Sequence, residues 1–287
     1  MQPESHLQFP WSFLPRFREG NAPVSSYRCP IAEPAWSDDR TLGKVATQQP
    51  PSVDRCQEAR IPTVPPPKRH PYNQWAPDAR ALDLVGDKWT LLIIRDLVPG
   101  PRRFVELQRV LPGISTEQLR SRLNRMVADG LLTRQRYREV PPRVDYELTE
   151  RARGLLPVIG ALAAWGFEWA WGPPNDDEAI DIGAIFRSIP GLVRPSGDAR
   201  GLVELVVMGT DGEPQHYAMR ISRGSISVSE RAAPEADASV SGSQRDWIDA
   251  LGPAADDEAL HVSGDQRLAR VVLDGVMASS FRDARVA

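Results

Sequence analysis

Residues Ile114 to Gly130, ISTEQLRSRLNRMVADG, read as a short helix with two dissimilar faces. Ser115 stands at the N-cap, Gln118 completes a capping box, and Ile114 with Leu119 has the spacing of a hydrophobic staple. The helix therefore begins at Thr116, and Gly130 stops it. At about 100° per residue, Leu119, Leu123, Met126 and Val127 share one side, while Glu117, Gln118, Ser121, Asn124 and Arg125 share the other. The polar set, entered from Ser115, can hydrogen-bond base edges, and Arg120 and Arg122 on its shoulders can reach phosphates. A merely solvated helix face has the same look, so the neighbourhood has to decide.

Upstream, Arg102 to Leu111 (RRFVELQRVL) forms a second short helical pattern with Phe104, Leu107 and Leu111 on one side, and Arg102 and Arg103 at its start are further candidates for phosphate contact. The connection from Pro112 to Ser115 contains Gly113. Two short helices joined by a tight glycine-bearing turn are the helix-turn-helix pattern, whose second helix enters the major groove. Downstream, Leu131 to Tyr137 and Val144 to Leu148 read as strands, the second alternating Val144, Tyr146 and Leu148 against Asp145 and Glu147. Pro141-Pro142 stiffens the loop between them, with Arg138 and Arg143 at its shoulders, which suits phosphate or minor-groove contact. Ahead of this unit, Asp78 to Val85 can form a first helix and Lys88 to Leu97 a second, apolar nearly all round and so buried, ended by Pro99-Gly100. Behind it, Thr149 caps a helical pattern from Glu150 to Trp171, which Pro157 either kinks or divides. Leu155, Val158, Ile159, Leu162, Trp165 and Trp169 recur there at helical spacing, and Glu168 is the only charge between Gly154 and Asn175. Such a face needs cover, either from the rest of the chain or from a second copy.

The run from about Asn73 to Trp171 resembles the HxlR-type winged helix-turn-helix transcriptional regulators. Gly86-Asp87-Lys88-Trp89, Gly100-Pro101-Arg102-Arg103-Phe104, Leu111-Pro112-Gly113-Ile114-Ser115, Val140-Pro141-Pro142-Arg143-Val144 and Leu148-Thr149 stand in that family's order and spacing. The resemblance implies a homodimer on double-stranded DNA, with the elements flanking the winged core making the dimer. A two-fold dimer would hold its recognition helices roughly 34 Å apart and favour a pseudo-palindromic operator. Family members often carry Cys-Pro before the first helix, a thiol that in some of them senses oxidants; here the pair is Ala76-Pro77, so thiol sensing at that position is not expected.

Past a linker at 172–179, the pattern turns to hairpins. Leu202 to Met208, Gln215 to Ile221 and Ser225 to Ser229 read as successive antiparallel strands, with Ala236 to Ser241 as a fourth. Ser243 caps a helix bearing Trp247, Ile248 and Leu251, and Asp265 starts a last helix with Leu268, Val271, Val272 and Val276. A sheet covered by helices leaves an apolar space that could enclose a lipophilic ligand. The element order and the ending ALHVSGDQRLARVVLDGV resemble the sterol-carrier-protein-like domain over about Ile180 to Val276. That implies an apolar small-molecule effector meeting Tyr217, Met219, Trp247, Ile248 and Val272; a dry core would use the same residues. The fold class expected is thus α+β: a mainly helical winged domain at 73–171, then a small sheet-and-helix domain at 180–287.

Residues 1–72, with Pro50-Pro51 and Pro65-Pro66-Pro67 and no sustained periodicity, read as a disordered extension without a signal peptide. Formal charge is uneven, +2 over residues 1–72, +3 over 73–170 and −8 over 171–287, so only the middle segment is both folded-looking and positive. Its arginines cluster as nucleic acid requires even when net charge is near zero. Cys29 and Cys56 give neither a disulfide framework nor metal-ligand spacing, and His6, His70, His216 and His261 are isolated, so no metal or cofactor is expected. No run is long and apolar enough for a membrane span, which with the unpaired thiols suits the cytoplasm. Nucleophile elbows, phosphate-cradling glycine loops and zinc-protease motifs are missing, so no catalytic residue is expected and the chain does not read as an enzyme. Two readings remain: a one-component transcription regulator, or a lipid-binding carrier whose winged domain serves dimerisation.

Overall fold

The computed structural model describes residues 71–137, 143–195 and 198–280. The expected N-terminal extension with its two cysteines lies almost wholly outside the described residues, as do Arg138 and the Pro141-Pro142 tip of the wing.

The winged region begins with α1 (Pro77–Val85) and α2 (Thr90–Asp96). Asp87 opens α2 by accepting from the backbone N–H groups of Trp89 and Thr90 at 2.9 and 3.0 Å and from the Thr90 hydroxyl. Then come β1 (Arg102–Arg103), α3 (Phe104–Val110), α4 (Thr116–Ala128), β2 (Leu132–Tyr137) and β3 (Arg143–Leu148). Arg102 and Arg103 do not start a helix as the pattern suggested; they pair with Tyr146 and Asp145, giving a three-stranded sheet in the order β1-β3-β2. Gly113, at φ +82°, makes the turn between α3 and α4, a left-handed conformation that a side chain would strain. Thr149 caps α5 (Glu150–Arg153), and the helical pattern is divided, not kinked, because Pro157 sits in the first turn of a separate α6 (Leu156–Trp169).

Next is α7 (Ile182–Leu192), which the hairpin pattern did not foretell; Asp181 caps it, accepting from the Ala184 N–H. The strands β4 (Gly201–Met208), β5 (Pro214–Ser222), β6 (Ser225–Ser229) and β7 (Ala238–Ser243) precede α8 (Gln244–Leu251), β8 (His261–Gly264) and α9 (Gln266–Ser280). The first three are antiparallel neighbours as expected, while β7 crosses over to lie parallel to β4, giving the order β6-β5-β4-β7-β8. Aromatic side chains pack between the sheet and the helices. Phe186 of α7 meets Tyr217 and Trp247 edge-on at 5.1 and 4.9 Å, and the Trp247 indole N–H donates to the Val206 carbonyl at 2.9 Å.

The winged region and the C-terminal sheet share one apolar core. The helices α6 and α7 lie backbone against backbone: a Cβ on Gly160 would sit 2.0 Å from the Gly191 carbonyl oxygen. Beside them, Asp96 of α2, fully buried, faces Arg187 of α7, 3% exposed, at 3.6 Å. Arg187 also donates to Asp181 at 2.9 and 3.0 Å and to Glu230 at 3.1 Å, and Arg95 covers Asp96 at 2.9 Å. A buried pair of this kind costs several kcal/mol if one partner is removed, so it fixes α7 against the winged region.

Candidate nucleic-acid interface

The underside of α4 is sealed: Leu119 and Leu123 are wholly buried, Met126 is 1% exposed, and Ile114 closes the entry. Its N-terminus has the geometry read from the sequence, since the Gln118 N–H donates to the Ser115 hydroxyl at 3.2 Å and the Ser115 N–H donates to the Gln118 side chain at 3.1 Å. That bond uses the side-chain carbonyl oxygen of Gln118, an exposed residue. Glu117, Gln118 and Arg120 are exposed, whereas Ser121, Arg122, Asn124 and Arg125 are half-buried.

The arginines differ in what holds them. Arg120 pairs with Glu117 at 3.1 Å in full view of solvent, a contact of little energy that a phosphate displaces readily. Arg122 reaches Asp87 at 3.0 Å and so ties α4 to the start of α2. Arg125 pairs with Asp129 at 3.4 Å with only 15% of its side chain exposed, and Arg102 is turned away from α4 onto Glu230 at 2.5 Å, 11% exposed. Neither stands ready on the surface in the way the helical wheel suggested. The polar alternation expected for β3 also fails at Asp145, 2% exposed, because Arg143 closes over it at 2.6–2.9 Å and Arg103 approaches to 3.9 Å. The two guanidiniums, Arg143 foremost through its hydrogen bonds, hold the Asp145 carboxyl below the usual carboxylate range. Arg143 also lies over the Tyr137 ring at 5.3 Å, so the described foot of the wing is a braced cationic ridge.

Three residues outside the expected set join this surface. Thr116, the first residue of α4, is exposed and accepts from Gln108 of α3 at 2.8 Å, and Arg134 and Arg136 line β2 beside the wing. Thr116 could have been picked out by position, since the first turn of a recognition helix contacts bases.

Of the five residues named for an apolar ligand, Met219 and Trp247 are wholly enclosed and Val272 is 1% exposed. Tyr217, itself buried, and Ile248 also line a cleft of about 2210 Å³ between the winged region and the C-terminal sheet. Burial pushes the Tyr217 phenol up to about 12. Among the described residues there is no metal-binding cluster and no helix long and apolar enough to cross a membrane.

The family model described as HxlR-like helix-turn-helix matches residues 84–172. An HTH-type transcriptional regulator of Synechocystis sp. is 41% identical over 32% of this chain and 69% of its own length. YybR of Bacillus subtilis is 35% identical over 34% of this chain and 78% of its own, and a regulator of Halalkalibacterium halodurans is 43% identical over 32% and 83%. All three bear the name of HTH-type transcriptional regulators, and none that of an enzyme.

Proposed function

The chain belongs to the HxlR-like helix-turn-helix family, and from that premise we propose that it regulates transcription as a homodimer on a pseudo-palindromic operator in the cytoplasm. The observation that carries the reading is a doubly capped helix whose apolar side is locked into the core while Glu117, Gln118 and Arg120 stand in solvent. Gln118, Ser121 and Asn124 read base edges, joined by Thr116 and Glu117; Ser115, Arg103, Arg120, Arg122, Arg138 and Arg143 contact the backbone. Arg102 and Arg125 reach the duplex only by exchanging Glu230 and Asp129 for phosphate or base.

The dimer forms through the outer side of α6, where Val158, Leu162, Trp165 and Trp169 are 48–68% exposed. A row of this kind fits burial against a second copy. An effector biases the spacing of the two reading helices by binding the DNA-competent and incompetent states unequally, and the C-terminal half, which resembles the sterol-carrier-protein-like domain, supplies part of its site. The packing of Phe186 and Trp247 gives no support to the carrier reading, which needs an open lumen.

Selection of duplexes from a random library, followed by a salt titration on the selected site, tests the regulator reading. Affinity falls steeply as salt rises, and Arg143→Ala reduces the slope while Asn124→Ala relaxes the sequence preference. No enriched sequence and no salt dependence would remove the proposal.

A further inference from the structure

A wide cleft opens between the two halves, and its charges are unevenly satisfied. Every acidic side chain along it has a partner of its own. Asp181 and Glu230 hold Arg187, Asp249 holds Arg245, Glu178 holds the Asn175 side chain, and Asp211 and Asp256 accept backbone N–H groups two residues on. The arginines Arg95, Arg102, Arg187 and Arg231 are likewise paired with carboxylates. Among the described residues, Lys88 and Arg109 line the same cleft, both exposed, with no carboxylate on either. Lys88 lies over the Trp89 ring at 4.9 Å, and Trp89 lines the cleft beside it. An aromatic surface and two cations without carboxylate partners on one cleft wall suit an organic anion carrying a ring.

The position of the two cations matters as much as their charge. Each is one residue from a side chain that anchors α4. Asp87, before Lys88, holds Arg122 at 3.0 Å; Gln108, before Arg109, donates to Thr116 at 2.8 Å. A ligand on Lys88 and Arg109 would thus bear on backbone one residue from each of these anchors.

We propose that this cleft, and not the interior of the C-terminal sheet, is the effector site, that it takes an aromatic acid on Lys88, Arg109 and Trp89, and that occupancy reaches α4 through Asp87–Arg122 and Gln108–Thr116. This deepens the regulator reading and rests on it. The ligand fills part of the cleft, since drug-sized sites span about 300–1,000 Å³.

The test uses the full chain, with 2-naphthoate and its uncharged analogue 2-naphthamide as probes in titration calorimetry, alongside operator binding with and without saturating 2-naphthoate. The expected results are binding of the acid at least tenfold tighter than the amide, loss of at least tenfold in Lys88→Glu/Arg109→Glu, and retention in Lys88→Arg/Arg109→Lys. Operator affinity shifts at least fivefold on saturation, and Gln108→Ala shrinks that shift while leaving 2-naphthoate affinity unchanged. No binding of 2-naphthoate, or equal binding by the charge-reversed variant, overturns the site; binding without a shift in operator affinity overturns the coupling. Failure of the regulator reading is a separate outcome, namely the absence of sequence-dependent duplex binding by the ligand-free protein.

Discussion

The helices α4 and α6 are nearly equal in length, 13 and 14 residues, each is seated on the core by one side, and their open sides are chemical opposites. The open side of α4 carries amides, a carboxylate and guanidiniums; that of α6 carries Val158, Leu162, Trp165 and Trp169. A polar open side loses little by standing in water and gains from a partner that exchanges hydrogen bond for hydrogen bond, as a DNA groove does. An apolar open side gains from a partner that removes it from water, by about 25 cal/mol per Å² buried. One chain thus presents a wet surface and a dry one, and the two suit partners of different chemistry.

The comparison presumes that α6 is held on its inner side by α7, and Arg187→Ala attacks that presumption most directly. Removing the buried guanidinium strips Asp181 of its ion pair and leaves fully buried Asp96 with Arg95, and Glu230 with Arg102, which should cost about 3 kcal/mol in chemical denaturation. An unchanged midpoint would show that α7 is held by apolar packing alone.

The dry side is tested next. Trp165→Glu with Trp169→Glu should raise the dimer dissociation constant at least a hundredfold in sedimentation equilibrium, roughly 3 kcal/mol, with helix content preserved, since both indoles already face solvent in the single chain. If the double variant self-associates as before, the open side of α6 is not the dimer surface.

The seat beneath α7 is tested by pH. The Tyr217 phenol ionises near pH 10 when unfolded and near about 12 when folded, so the native state holds its proton more tightly. The linked stability is whole below pH 10 and is lost as pH climbs through the folded value. The chain should therefore lose up to about 3 kcal/mol more than Tyr217→Phe between those limits, and parallel pH profiles would mean that the phenol reaches water.

Smaller effects belong to the wet side. Asn124→Ala should cost about 1–3 kcal/mol on the selected operator and much less on non-specific duplex, measured by anisotropy. Ser115→Ala, which removes the cap of α4, should lower stability by about 1 kcal/mol and weaken all duplexes together.

Much of the winged region was legible because its determinants are local. The cap at Ser115, the glycine turn at Gly113 and the apolar stripe of α4 lie within a few residues of what they determine, and the structure reproduces them. The expected site fared unevenly for the same reason. Glu117, Gln118 and Arg120 are exposed as periodicity implied, and Arg125 pairs one turn on with Asp129 of the same run, whereas Arg102 is claimed by Glu230, a distant partner that no helical wheel contains. Asp145 looked like a solvent-facing strand residue until β1 and β3 brought Arg103 and Arg143 onto it.

The sequence by itself determined the winged unit, the positive middle segment and which sides of α4 and α6 are polar or apolar, since propensity, capping and periodicity act over a turn or two of chain. Only the tertiary structure decided that α7 fills the space over the C-terminal sheet, that β7 runs parallel to β4, and that Asp96 meets an arginine 91 positions later. It also decided that an open cleft lies beside the anchors of the reading helix. Those outcomes depend on which distant surfaces exclude water together, and no local pattern in the chain records that choice.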